Sequence, residues 1–207
     1  MKENILKEIK ANIDKDLNSK LMSGKILLDR FLVIDEQSRK TAPYLDFTYS
    51  PFYYYLGKII NPKNVLEIGF NLGLLSGSFF LSCSSCENFL GFRDSQDDNN
   101  FRLGKRNIKL VFKKNMKLHS GNLYDEEMNF NEKFDLIILN VETNYDKHLE
   151  YLEFCFDNLS EDGLMVVEYI NSHNPSNKSF FDFCDNKKTD FILFETRYGT
   201  AIIKKMI

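Results

Sequence analysis

Glu67, Gly69 and Gly73 are the residues whose types and spacing point most directly to chemistry. They lie in Val65-Leu66-Glu67-Ile68-Gly69-Phe70-Asn71-Leu72-Gly73, where a short apolar run suited to a buried parallel strand meets two glycines. Glycine lets a backbone turn sharply and come close to a bound molecule. Leu74 to Leu81 then reads as a helix of apolar and small residues, and its first free N–H groups would face that molecule. Strand, glycine turn and helix together make a ligand-binding corner. Two common ligands are disfavoured there. The dinucleotide fingerprint Gly-x-Gly-x-x-Gly needs glycine where Asn71 stands, and the chain has no Gly-Lys-Ser/Thr phosphate loop.

An acidic residue, one spacer, Gly, three spacers and Gly is the first motif of the class I S-adenosylmethionine-dependent methyltransferases. At Glu67, Gly69 and Gly73 the chain resembles that family, and its small-molecule O-methyltransferases in particular. The run Phe134-Asp135-Leu136-Ile137-Ile138-Leu139-Asn140 is similar to the strand with which those enzymes present an Asp, and the likeness extends over about residues 61 to 204. The resemblance implies S-adenosylmethionine as cofactor, held by Glu67, Gly69, Phe70, Asn71 and Gly73. It further implies Asp94 at the ribose, Asn122 and Leu123 at the adenine edge, and Asn140 beside the ligand. Three departures stand out: Arg93 occupies the commonest place of the ribose acid, Asn140 replaces the usual Asp, and Thr143 falls about where a His is found. Asp94 has an alternative as a solvated loop acid paired with Arg93 or Arg102, and Asn122 as half of a turn-forming Gly-Asn pair.

A sulfonium already activates its methyl group, so methyl transfer asks a protein mainly to align an acceptor, exclude water and remove a proton. Glu142, two residues past the fourth strand, is the first candidate base, His148 the second and His173 the third, while Asn140 is suited to orienting ligand or acceptor. Each of the three bases has an ordinary alternative as a surface or helix-cap residue. Asn140, Glu168 and Tyr169 at the ends of two strands would make a poor magnesium site, with a single full charge among them, so no catalytic metal is expected. The expected reaction is metal-independent transfer to oxygen, less readily nitrogen, of a small metabolite. The alternatives are a nucleic-acid or protein methyltransferase and a non-catalytic nucleoside-binding or interaction protein. No Asn/Asp-Pro-Pro-Tyr/Phe motif occurs, and nucleic acid is disfavoured as a partner, although Lys105, Arg106, Lys109, Lys113, Lys114 and Lys117 mark where it would touch.

The elements that must carry these residues alternate strand and helix after a helical opening. The expected fold is α/β, doubly wound and Rossmann-like. Its seven-stranded, mostly parallel sheet ends in an antiparallel hairpin, with an N-terminal helical extension. Residues 1–60 are expected as the extension or lid and 61–207 as the methyltransferase domain. Ile5, Ile9, Ile13, Leu17 and Leu21 recur every fourth position and predict an amphipathic helix, whose stripe docks on the helical layer or on a second subunit of a homodimer. A second helix is predicted over Lys25 to Arg39, and others over Leu72 to Ser82, Tyr145 to Leu159 and Ser179 to Asp185. Strands are predicted over Asn88 to Phe92, Lys109 to Leu118, Phe134 to Asn140, Leu164 to Ile170, Phe191 to Glu195 and Thr200 to Lys204. Of the rings Tyr44, Phe47, Tyr49, Phe52, Tyr53, Tyr54 and Tyr55, two are expected at the cleft and the rest in the core. A chain of 207 residues can bury one sizeable core, and its net charge of -3 exerts no global pull on polyanions. Cys83 and Cys86 form a Cys-x-x-Cys without a second pair, which reads as packing. The charged N-terminus and the lack of a long apolar run predict a cytoplasmic protein with no membrane partner.

Overall fold

The computed structural model describes residues 4–19, 23–32, 49–94, 99–121, 123, 133–171 and 173–205. Among the described residues three helices come first: α1 (Asn4–Ser19), α2 (Gly24–Leu28) and α3 (Tyr49–Ile59). Then follow β1 (Asn64–Ile68), α4 (Leu74–Phe80), β2 (Asn88–Arg93), α5 (Asn99–Val111), β3 (Asn115–Ser120) and β4 (Phe134–Leu139). The chain closes with α6 (Tyr145–Asn158), β5 (Leu159–Glu168), α7 (Ser176–Lys187), β6 (Phe191–Phe194) and β7 (Thr200–Lys204). The seven strands form one sheet in the order β3-β2-β1-β4-β5-β7-β6. The first five are parallel, and β7 runs antiparallel between β5 and β6. This is the expected α/β arrangement, including the closing hairpin.

Continuous apolar runs form the central strands because both sheet faces are covered, so residues of either parity meet a helix. Val65, Leu136, Ile138, Leu164, Val166 and Ile202 point into a core shared with α1, α3, α4 and α5. Their neighbours Leu66, Ile137, Leu139, Met165, Val167 and Ile203 point into a second core with α6 and α7. Glu67 and Glu168 are in phase with the first set and therefore face the α3 and α4 side. In α1 the buried residues are Leu6, Ile9 and Ile13, in the same core as Val65, while the expected Ile5 is 42% exposed. The α1 stripe thus docks within the chain, and α1 and α3 share the sheet's core, while Leu28 of α2 packs in a separate cluster with Leu72 and Leu74.

Other differences are local. The segment expected to begin a strand at Lys109 is instead the end of α5, and β3 starts at Asn115. Helix α2 stops at Leu28, and the remainder of the predicted second helix from residue 33 lies outside the described residues, as do Leu21, Tyr44 and Phe47. Cys83 and Cys86 are buried free thiols, and Cys86 donates to the Asn88 carbonyl. Among the described residues no helix is long and apolar enough to cross a membrane.

Candidate active site

Strand order reverses between β1 and β4: from β1 the chain works outward through β2 and β3, then returns to place β4 on the other side. At such a switch point the loops diverge and leave a crevice beyond the carboxyl ends of the strands. Three backbone hydrogen bonds tie these ends together. The Gly69 and Phe70 N–H groups both donate to the Phe92 carbonyl, at 2.9 and 2.8 Å, and the Asn140 N–H donates to that of Ile68 at 2.8 Å. Gly69 has φ +90°, and a Cβ there would lie 2.0 Å from the Asn140 carbonyl oxygen. Gly73 has φ +70°, and its Cβ would meet the Ile108 side chain at 2.9 Å. Both glycines are therefore required by the protein's own packing, Gly69 against the end of β4 and Gly73 against α5.

A cavity of about 160 Å³ opens at this point, lined by Tyr49, Glu67, residues 71–75, Asn140, Tyr169 and Tyr198. Its inner wall is acidic. Glu67 is 1% exposed and accepts a hydrogen bond from the Ser76 hydroxyl. Burial pushes its carboxyl up to about 7, against the opposing pull of hydrogen bonds from Ser76 and Asn140. Glu168 lies deeper, with its oxygens accepting from the Tyr53 hydroxyl at 2.5 Å and the Thr200 hydroxyl at 2.8 Å, and burial raises it to about 7 as well. Tyr49 has a pKa well above the usual value through burial and the nearby Glu168 charge. It therefore stays a phenol and donates to Asn140 Oδ1 at 3.4 Å, while Asn140 Nδ2 donates to the Gly69 carbonyl at 3.3 Å.

The outer wall is aromatic. Tyr169, just beyond β5, adopts φ +63°, a left-handed conformation that a bulky side chain takes only where its surroundings impose it. Its ring lies 4.9 Å from that of Tyr198 at 31°, and Tyr198 meets Tyr49 edge-on at 6.2 Å and 90°. Of the described rings in the belt before β1, Tyr49 lines the cavity, while Phe52, Tyr53 and Tyr55 are buried. Tyr198 lies between the two predicted closing strands, and nothing local in the sequence marks it as a wall residue. Pairing β5 with β7 brings it here.

The sequence matches no protein-family model and no curated protein. Solved structures do match. An O-methyltransferase from Bacillus cereus, solved in complex with SAH, superposes with a TM-score of 0.70 at 16% identity, over 95% of this chain and 100% of that one. An SAH-bound methyltransferase from Podospora anserina gives 0.68 at 15%, covering 97% and 96%. The O-methyltransferase of tomaymycin synthesis from Streptomyces achromogenes, in complex with SAM, gives 0.64 at 12%, covering 97% and 99%. The chain has the class I methyltransferase fold.

Within the methyltransferase fold, Glu67, Asn71, Gly73 and Asn140 come together at the cavity, while Gly69 shapes the turn behind it. Several other expected residues do not join them. Phe70 is fully buried, with its ring packed against Phe89 and Phe101, so only its backbone belongs to the turn. Leu123 is 1% exposed in the α6 and α7 core, and Asn122 lies outside the described residues. Asp94 accepts from the Tyr151 hydroxyl and stands 3.9 Å from Lys147, both on α6. Arg93 instead reaches the turn, donating to Asn71 Oδ1 at 2.7 Å. His148 is fully buried between α6 and α7, its Nδ1 2.7 Å from the Ser179 hydroxyl, and burial lowers its pKa to about 4. It is a core histidine and does not line the cavity. Glu142 and His173 are exposed and outside the cavity lining. Among the described residues no three His, Cys, Asp or Glu side chains converge as a metal set.

Proposed function

We propose that the chain is an S-adenosylmethionine-dependent methyltransferase that methylates an oxygen, less readily a nitrogen, of a small metabolite without a catalytic metal. One observation carries this reading: at the switch point of a methyltransferase fold, a glycine turn and a buried acid open onto a cavity with three tyrosine rings. The residues present fit an adenosyl sulfonium in charge and shape. Glu67, Asn71, Gly73 and Asn140 would hold it, and the tyrosine faces suit a cationic sulfur in a partly desolvated site. When bound, that group supplies an activated methyl. The fit is weakest at the ribose, where Arg93 bonds Asn71 and Asp94 is engaged by α6.

The remaining work falls to this chain's own side chains. Asn140, held between the Gly69 carbonyl and the Tyr49 phenol, is a fixed amide that can orient an acceptor oxygen. The rings of Tyr49, Tyr169 and Tyr198 exclude water from the outer wall. Glu142, exposed on the loop leading from Asn140 to α6, is the proposed group for the acceptor proton. The metal-free reading is supported by Glu168, whose two oxygens are already taken by hydroxyls.

A second reading, a nucleoside-binding protein that no longer transfers methyl groups, draws on Arg93 standing where an acid is expected. Incubation with methyl-labelled donor and a size-fractionated extract separates the two. Label entering the low-mass fraction, and falling at least tenfold in Glu142→Gln with donor affinity kept, supports transfer with Glu142 as base. Calorimetric donor binding without any labelled product favours the second reading, and no donor binding at all ends both.

A further inference from the structure

The outer face of α5 carries charge that nothing in the methyl-transfer reading uses. Between Asn99 and Ser120 the chain contains no Asp or Glu but seven cations: Arg102, Lys105, Arg106, Lys109, Lys113, Lys114 and Lys117. The whole chain totals -3, so the remaining residues are net acidic and this segment is the exception. Read as a strand, the second half of the run would put Lys109, Lys113 and Lys117 on one face and Lys114 on the other. In the structure the run begins on a helix, and Arg102, Lys105, Arg106 and Lys109 follow one another at three- and four-residue spacing along about 10 Å of one face. Lys113 and Lys114 follow in the loop before β3, an edge strand of the sheet, whereas Lys117, alternating with Met116 and Leu118 that face the α5 side, lies on the other sheet face.

All seven cations are exposed, whereas Phe101, Gly104, Asn107 and Ile108 turn inward. Among the described residues none of the seven is in an ion pair. The Lys113 and Lys114 ammonium groups donate to backbone carbonyls, those of Lys109 and Ser84. The acids nearest in sequence, Asp97 and Asp98, precede the start of α5, while Lys109, Lys113 and Lys114 cluster at its far end.

We infer that this face binds the phosphate backbone of a nucleic acid, through charge and without base readout. The chemistry favours that partner over two others. A protein interface needs an apolar centre and is poor in lysine, whereas the large apolar side chain exposed here is Leu110 alone, at 53%. A membrane-surface helix needs an apolar face to insert, and the apolar face of α5 is spent on the core. A row of cations about one helical turn apart suits a polyanion that gains by releasing counterions. The inner face of the same helix supports the cavity turn, since Asn107 Nδ2 donates to the Leu72 carbonyl at 3.0 Å. Nucleic acid held on the outer face would thus lie on the helix that backs the cavity. The inference does not depend on the methyl-transfer reading.

The test is fluorescence anisotropy of the full chain with labelled oligouridylate and with labelled duplex DNA, across a salt series. Expected is binding to either at low salt, with log affinity against log salt falling at a slope near −3, about four phosphate contacts on a single strand. In a Lys105→Gln, Arg106→Gln, Lys109→Gln variant the affinity should drop at least tenfold and the slope flatten by about 2, with an unchanged thermal midpoint. The inference is overturned by an absence of binding at low salt, by a folded variant that binds as tightly as wild type, or by polyglutamate competing as well as RNA. The last result would assign the face to an acidic polypeptide.

Discussion

Glu67 and Glu168 place two buried carboxyl groups on one face of the sheet, and their titration makes folding pH-dependent. Burial holds both near 7 rather than 4.5, so in that window the folded protein keeps protons that the unfolded chain has released. The stability these groups confer is complete below pH 4.5 and is lost as pH rises toward 7, on the order of 3 kcal/mol for each. His148 works the other way. Its folded value of about 4 lies below the ordinary 6.5, so its contribution is present above 6.5 and is lost as pH falls toward 4. Urea unfolding of wild type at about pH 5 and pH 8 should show lower stability at the higher pH, and Glu67→Gln should remove most of that difference, because His148 already offsets part of the effect of the two carboxyls. An unaltered difference in the variant would mean that Glu67 is ionised throughout. Gly69→Ala is expected to cost about 3 kcal/mol or more even without ligand, since φ +90° and a carbonyl 2.0 Å from the new Cβ must both be relieved. Gly73→Ala should cost less, about 1–2 kcal/mol, because its nearest neighbour is a side chain, Ile108 at 2.9 Å, and the nearest carbonyl, that of Gly104, is 3.3 Å away. Equal costs by urea titration would contradict that distinction. Both glycines were legible as the turn after an apolar run, and the acid through the family motif that the segment resembles. What the glycines meet was not, because Asn140 and Ile108 are distant in the chain and come near only when β4 and α5 pack.

The edge of the sheet away from the cavity is held by an asparagine ladder. Asn64, Asn88 and Asn115 stand side by side in the registers of β1, β2 and β3. Asn88 donates to Asn64 Oδ1 at 2.8 Å and accepts from Asn115 Nδ2 at 3.0 Å. Asn88→Ala removes both bonds and should lower stability by about 1 kcal/mol in urea, a modest figure because the row is partly solvated. Loss of more than about 3 kcal/mol would show that the strand pairing itself depends on the ladder. Elements whose pattern serves mainly the core were easiest to read: β4 and β7 carry the apolar runs 136–139 and 201–203, and α6 carries its own cap, Asn144 Oδ1 accepting from the Lys147 N–H at 3.0 Å. Helix α5 was not, for a physical reason. Two of the four positions on its buried face are Gly104 and Asn107, one lacking a Cβ because the Asn71 carbonyl would lie 1.9 Å from it, the other bonding the Leu72 carbonyl. Bracing the turn leaves Phe101 and Ile108 as the apolar side chains among those four, so the stripe is interrupted rather than continuous.

At the scale of the whole molecule, the reading of function rests on a ligand that links turn, strand ends and roof helix. Tyr49 comes from α3, Glu67 and Asn140 from the ends of β1 and β4, Tyr169 from the end of β5 and Tyr198 from the hairpin. A molecule bound among them bridges elements far apart in sequence, and binding to the folded state alone must raise the unfolding midpoint. At about a hundred times its Kd, S-adenosylhomocysteine would add about 2.7 kcal/mol, which for a chain of this size moves the midpoint by roughly 5–10 °C. Adenosine monophosphate lacks the thioether and amino-acid portion and carries a phosphate beside buried acids, so it should move the midpoint by less than about 1 °C at the same concentration. A thermal-shift series with both compounds decides the matter. A rise with the nucleoside product alone supports the cavity as the methyl-donor site. An equal rise with the nucleotide would mean that Arg93 governs the pocket through charge, and the site would then belong to a phosphorylated ligand instead.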